Sequence, residues 1–297
     1  MDLDPLAIRN LLIWIALAVL ATILLGAVPS WIRCAAKRAD PSAATALFAF
    51  VLAGACVGLL FLEGKVEKIM QITQTQALWL ALCGLLSALV WLSLFTALTG
   101  GLASKVVPIY LLWYLLNTVA SHFLFGAPLG LWKICCIILV LLGVVFIESR
   151  TQRLKNQLWF VYAFLAALAA VGLQLLKQGV LTQAFDDTVF HAGRAAFACV
   201  ILWIFVFMRK KHLTLASFTL RAWVGIFFAA LFLAGSYAAT YFAARYGEMS
   251  TLAPIEVLTI FFAMLFARMF QKEKQPGSAI FGTLLVMLGQ FGILMGL

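Results

Sequence analysis

The chain has 297 residues, 65% of them hydrophobic and 11% charged, with a formal net charge of +10. Ordinary soluble domains hold roughly 45–50% apolar and about 25% charged residues, so a water-soluble fold, a disordered chain, a coiled coil and a secreted disulfide scaffold are excluded. The basic residues lie between apolar runs, as in loops flanking membrane spans, and not on one nucleic-acid-binding face.

A helix crossing a hydrocarbon core of roughly 30 Å needs about 20 mostly apolar residues. In chain order such runs are Asn10–Ile32, Ala43–Leu62, Ala77–Leu98, Val106–Ala127, Leu129–Ile147, Leu158–Ala184, Val189–Met208, Ala222–Ala244, Met249–Phe270 and Ser278–Leu297. None alternates apolar and polar residues as a transmembrane strand does. The first run is too long for the apolar part of a cleaved signal peptide and is expected to remain a span. The connections are short, and no soluble domain is expected. The expected fold class is an all-α membrane protein of ten transmembrane helices, multi-pass in the cell (inner) membrane.

Loop charges set the expected orientation. Arg9, Lys65, Lys68, Lys133 and Arg245 fall on the side of the two termini. Fourteen basic residues, from Arg33, Lys37 and Arg38 to Arg268, Lys272 and Lys274, fall on the other side. The positive-inside rule places both termini outside the cytoplasm. Cys34, Cys56, Cys83, Cys135, Cys136 and Cys199 fall almost entirely in spans, contain no Cys-x-x-Cys, and read as free thiols acting as small hydrophobes.

A shift of 146 residues places Gly101 on Gly247, Pro108 on Pro254 and Ile109 on Ile255, and carries Leu139–Gly143 onto Leu285–Gly289 without a gap. The chain thus divides into residues 1–150 and 151–297, five spans each. An odd number of spans per repeat inverts the second half relative to the first, the symmetry of carriers that alternate around a central site.

The stretch from Leu98 through Gly101, Ser104 and Pro108 to Ile109, followed by an apolar helix and Gly143, resembles the EamA-type repeat of the drug/metabolite transporter superfamily. The second half repeats it from Gly247 through Pro254 to Ile255, then adds Phe270-Gln-Lys-Glu273 before the last helix. Two positions depart from the pattern. Ala127 stands where the second half has Glu273, and the Trp-Gly common in the first helix is Leu25-Gly26. The resemblance implies a secondary transporter of small metabolites, with both termini in the cytoplasm. That orientation opposes the one given by the loop charges.

Ionisable groups inside a bilayer are costly and commonly functional. Glu256 lies about seven residues into the ninth span, roughly 10 Å deep at 1.5 Å per residue. It follows Pro254 by two positions, and proline frees nearby carbonyls toward a cavity. It suits a substrate cation or a coupling proton, or a structural hydrogen bond between helices. Lys177 lies at a comparable depth from the same face, and Arg194 lies about a turn into the seventh span from that face. Each suits an anionic group or a pair with Glu256, and each is also long enough to snorkel to the interface. Tyr110, Trp113, Tyr114, Asn117 and Ser121 recur at helical spacing in the fourth span. A continuous helix would bring them to one face, either as a cavity wall or as a belt with interhelical hydrogen bonds. Tyr237, Thr240 and Tyr241 form a similar face in the eighth span. His122 suits a proton relay or a helix end, and Gln290 lies mid-span in the tenth helix. Trp79 and Trp91 read as packing or belt residues.

The sequence holds no His-Glu-x-x-His, paired intramembrane aspartates, Gly-x-Ser-x-Gly or P-loop. No enzyme, cofactor or metal is expected. The expectation is a carrier for a small metabolite, an amino acid or related zwitterionic or amphipathic compound, coupled to H+ or a counter-substrate. Its partners are the substrate and the lipid bilayer, and it acts as a monomer or homodimer. A membrane-embedded lipid-modifying enzyme, and a lipid scramblase or non-transporting membrane partner, are the alternatives.

Overall fold

In lipid every backbone N–H and C=O must be paired within the protein, which favours helices for runs this apolar. The computed structural model describes residues 5–126, 128–148, 158–181, 186–247 and 252–295, and these contain helices and no strands. In order the helices are α1 (Pro5–Ala36), α2 (Pro41–Leu62), the single turn α3 (Glu67–Met70), α4 (Gln74–Gly100), α5 (Ala103–Tyr110), α6 (Trp113–Phe125) and α7 (Leu131–Glu148). The second half continues with α8 (Leu158–Leu181), α9 (Asp187–Met208), a 3-10 turn (Lys211–Ser217), α10 (Leu220–Ala243), α11 (Leu252–Glu256), α12 (Thr259–Gln271) and α13 (Gly277–Leu294). Among the described residues nine helical stretches are long and apolar enough to cross a membrane, beside a shorter apolar helix, Leu131–Ile147. The molecule is therefore a multi-pass membrane protein. Ala127, Ala184, Met249 and Leu297, four of the expected span ends, lie outside the described residues.

Local chemistry sets several starts. Asp40 caps α2, its Oδ1 accepting from the N–H groups of Ser42 and Ala43, with Pro41 at the first helical position. Thr73 and Gln76 form a reciprocal capping box on α4. Asp186 and Thr219 cap α9 and α10.

Two expected spans are not continuous. The fourth begins at Ala103, not Val106, and breaks at Leu111–Leu112 between α5 and α6; the ninth breaks at Val257–Leu258 between α11 and α12. The two breaks stand 146 residues apart, the spacing of the repeat. Each follows a proline inside a short helix, Pro108 or Pro254, which cannot donate to the carbonyl four residues back. Tyr110 therefore ends one helix while Trp113, Tyr114, Asn117 and Ser121 ride on the next. The single stripe expected of a continuous helix is divided.

The main packing partners cross between the halves. α1 packs on α10, α4 on α8, α2 on α9, and α7 on α13. The α7–α13 contact is set by glycine. A Cβ on Gly282 would lie 2.5 Å from the Gly143 carbonyl oxygen, and one on Gly289 would lie 2.7 Å from the Cys136 oxygen. Backbones this close gain dispersion contact, which drives helix association where the solvent is as apolar as leucine.

Candidate functional site: the interrupted helices and their charged neighbours

Breaking a helix frees carbonyls and turns side chains inward. At the first break the Leu111 carbonyl accepts a 2.8 Å hydrogen bond from Gln290 Nε2, which is fully buried on α13. Gln290 thus serves the break itself, while its Oε1 is buried without a partner. Just past the break, the Tyr114 hydroxyl donates to Glu256 Oε2 at 2.7 Å. This bond ties the first half to the last residue of α11. The Trp113 ring stacks on Tyr114, with centroids 3.8 Å apart. Asn117, a turn further along α6, is half-buried and its Oδ1 has no partner.

Next to this pair lies a cationic cluster on α8, α9 and α10. The Arg194 guanidinium lies 5.3 Å from the Tyr237 ring centroid and 5.6 Å from that of Phe190, in the range of cation–π attraction. One of its Nη atoms donates to His191 Nδ1 at 3.1 Å. That bond leaves the imidazole proton on Nε2, which is 3.8 Å from Asp187. His191 also stacks on Tyr237 at 4.3 Å. Lys177 pairs with Asp187 at 3.3 Å. Arg194 is 6% exposed, and its Nε is buried without a partner. Among the described residues it forms no ion pair. The two groups adjoin: Glu256 lies within electrostatic reach of Lys177, and Tyr110 within reach of Glu256, Tyr237 and Arg194.

The structure thus brings Tyr110, Trp113, Tyr114, Asn117, Lys177, Arg194, Tyr237 and Glu256 to one region. Ser121 and His122 lie apart from it, in the last turns of α6. Tyr241 lies one turn beyond Tyr237, at the membrane rim. Its hydroxyl accepts from Lys65 Nζ at 2.5 Å and from Arg245 at 2.7 Å. Lys65 also pairs with Glu63 at 2.9 Å and with Asp186 at 3.1 Å, and Lys68 reaches Asp186 at 2.9 Å. Thr240 is half-buried on the same helix.

At the opposite end of α2 a second cluster closes the other rim. Glu273 and Arg33 form a buried ion pair. Glu273 also accepts from the N–H groups of Ala103 and Ser104 at 3.1 and 3.2 Å, and from the Ser104 hydroxyl at 2.7 Å. A carboxylate there satisfies the first free donors of α5 and faces the positive end of its dipole.

Sequence reasoning missed Asp187 and His191. With Arg194 they sit at i, i+4 and i+7, a polar stripe at the start of an apolar helix that a face-by-face reading would have found. The partnership of Arg33 with Glu273 carries no local signal, being separated by 240 residues.

A bundle of membrane helices, two of them broken beside buried charge, defines a polytopic protein of the transporter kind. The model of the EamA-like transporter family matches residues 12–149 and again residues 157–295. The chain belongs to the EamA-like transporter family, whose members are membrane transporters of small molecules. One solved crystal structure superposes with a TM-score of 0.64 at 15% identity, covering 94% of this chain and 97% of that chain, which shows a shared fold. A search of curated proteins returns no match.

Proposed function

We propose that this chain is a secondary transporter, not an enzyme, moving a zwitterionic or amphipathic metabolite across the inner membrane by alternating access. The observation that carries the reading is the carboxylate of Glu256, placed at one helix break within electrostatic reach of Lys177, with buried Arg194 in the adjoining cluster. Glu256, steered by Tyr114, offers an anion to a substrate ammonium. Arg194, buried without a carboxylate, offers a planar donor fork to a substrate carboxylate. Lys177 is engaged by Asp187 and tunes the field at Glu256. Trp113 and Tyr237 supply ring faces for the apolar body. Ten spans in two inverted halves are supported by the equal spacing of the breaks. They are supported also by the exchange of partners, α1 with α10 as α8 with α4. Glu256 doubles as the site where a proton and the substrate compete.

Reconstitution into sealed liposomes tests this. The wild-type chain should show saturable counterflow of a labelled amino acid. Glu256→Gln should abolish its pH dependence while the protein remains folded, because the variant keeps the shape and loses a buried charge. Unchanged pH dependence in the variant refutes the role of Glu256. Absence of counterflow for all zwitterions refutes the substrate class.

A further inference from the structure

Where α1 ends and α12 ends, the basic face of the molecule holds a cavity of about 290 Å³ that the central site does not use. Ser30, Trp31, Arg33, Lys37, Arg38 and Gln271 are among its lining residues. Three of these are cations. The neighbouring carboxylate, Glu273, is engaged by Arg33 and by the first turn of α5. Asp40, the next acid along the chain, pairs with Lys211 at 2.9 Å. Among the described residues Lys37 and Arg38 form no ion pair, and Arg38 makes only a weak 4.0 Å contact to Cys34 Sγ. The Lys37 ammonium is held below its usual range, by burial first and then by the Arg33 charge beside it.

The lining also carries three buried polar atoms without partners: Ser30 Oγ, Arg33 Nε and Gln271 Oε1. Ser30 is 4% exposed and Arg33 is 7% exposed. Buried polar atoms are nearly always paired in folded proteins, so three around one cavity mark a place built for a polar ligand. One wall is apolar. Trp31 packs against Phe228 and Phe270, and both phenylalanines are exposed on the lipid-facing surface.

We propose that this cavity binds a phosphate-bearing anion, supplied either by the headgroup of an anionic lipid or by a soluble phosphate monoester. Lys37, Arg38 and the free Nε–H of Arg33 hold the phosphate oxygens, and the Ser30 hydroxyl donates a further bond. Gln271 Oε1 accepts from a hydroxyl on the attached group, which a glycerol headgroup has and a choline headgroup lacks. With a lipid bound, the acyl chains run along the Trp31 and Phe270 wall.

The test uses the full chain purified in detergent. In one arm, native mass spectrometry follows retention of phosphatidylglycerol against phosphatidylcholine. In the other, calorimetric titration follows binding of glycerol 3-phosphate. An interfacial cation is worth about 1 kcal/mol toward an anionic lipid, roughly fivefold. The Lys37→Ala/Arg38→Ala double variant should therefore bind about 25-fold more weakly. Arg209→Ala/Lys210→Ala, an exposed basic pair on the same face, should bind as the wild type does. Loss confined to the first arm assigns the site to a lipid headgroup, and loss in the second assigns it to a soluble ester. Both side chains changed are exposed, and elution as a single species verifies the fold. Failure of the wild type to bind either probe overturns the proposal, as does binding that survives the Lys37/Arg38 double substitution.

Discussion

Arg194 is held by two aromatic rings and a neutral imidazole instead of a carboxylate. An isolated buried cation is expensive unless other groups or a ligand complete its shell. Asn117 shows the same incompleteness in neutral form, with a buried carbonyl oxygen and no donor. Removing an unpaired acceptor releases no partner, so Asn117→Ala should leave the melting temperature unchanged. As a wall residue it should lower substrate affinity by about tenfold, the worth of one hydrogen bond of roughly 1–1.5 kcal/mol. Trp113→Ala removes a stacked pair worth about 0.5–1.5 kcal/mol and should lower affinity with only that modest loss of stability. Thermal melts beside binding isotherms check both, and loss of folded protein with unaltered affinity would assign these side chains to packing. At this scale Glu256, Lys177 and Arg194 were legible in the sequence, because charge inside an apolar run is visible without a structure. Their partners were not. Lys177, near the end of α8, meets Asp187 at the start of α9, and nothing in the order of residues marks that pair.

The helix breaks and the close backbone contact belong to the elements. Pro254 was legible as freeing carbonyls beside Glu256, and the 146-residue spacing marked Pro108 as its equivalent. The breaks themselves were not read, since the apolar runs pass through them without a change in composition. Nor was the role of Gln290, which depends on α13 lying against α5. Gln290→Ala should leave the Leu111 carbonyl with only its 3.2 Å bond from the Tyr114 N–H and cost about 0.5–1.5 kcal/mol, the usual worth of one hydrogen bond. The α7–α13 contact gives a sharper contrast. Gly282→Leu drives a side chain into the backbone of α7 and should abolish folded protein, since overpacking alone costs about 1–3 kcal/mol where side chains can still adjust. Gly54→Leu on α2, where an added Cβ would meet no atom within 4 Å, should be neutral. Fluorescence-detected size exclusion of the two variants side by side measures the difference.

Across the whole molecule, charge is gathered into a layer at each rim and a few groups between. A thiol placed in the Arg209–Lys211 connection and one placed at the N-terminus should react with impermeant reagents from opposite sides of the membrane. Reaction from the same side would mean an uneven span count and would end the inverted-repeat reading. The Lys65 rim predicts a pH window. Burial opposes ionisation of Asp186, but bonds from Thr188, Lys68 and Lys65 outweigh it and hold the carboxyl below its usual range. Burial likewise opposes the charge on Lys65, and bonds to Tyr241, Glu63 and Asp186 outweigh it and hold the ammonium above its usual range. A depressed carboxyl stabilises the fold above its ordinary pKa of 3.8, and that stability is lost as pH falls through the folded value. A raised ammonium stabilises below its ordinary 10.5, and that stability is lost as pH rises through the folded value. Melting temperature should therefore drop in strong acid for the wild type, and Asp186→Asn should start lower and show less of that acid dependence. These rims were hidden from sequence reading because Lys65 and Asp186, or Arg33 and Glu273, lie far apart along the chain.

The Glu273 cap has a kinetic consequence. It sits on one half-helix only, because the sequence places Ala127 at the matching position of the other half. Leaving one member of a buried pair without its partner costs about 3–5 kcal/mol, whereas a solvent-screened pair is worth about 0–1 kcal/mol. The Arg33–Glu273 pair is almost wholly buried and its carboxylate also caps α5, whereas the other rim, held by Lys65 and Lys68 on Glu63 and Asp186, is buried in part and open to water at Lys68. Under the proposed alternating access, the two rims would part at different rates. The empty protein would then wait longest with the Arg33 side shut, and cargo arriving from the other side would find a vacancy more often. Such a carrier would run as a biased shuttle, with different half-saturating concentrations on its two sides, even when no gradient drives it.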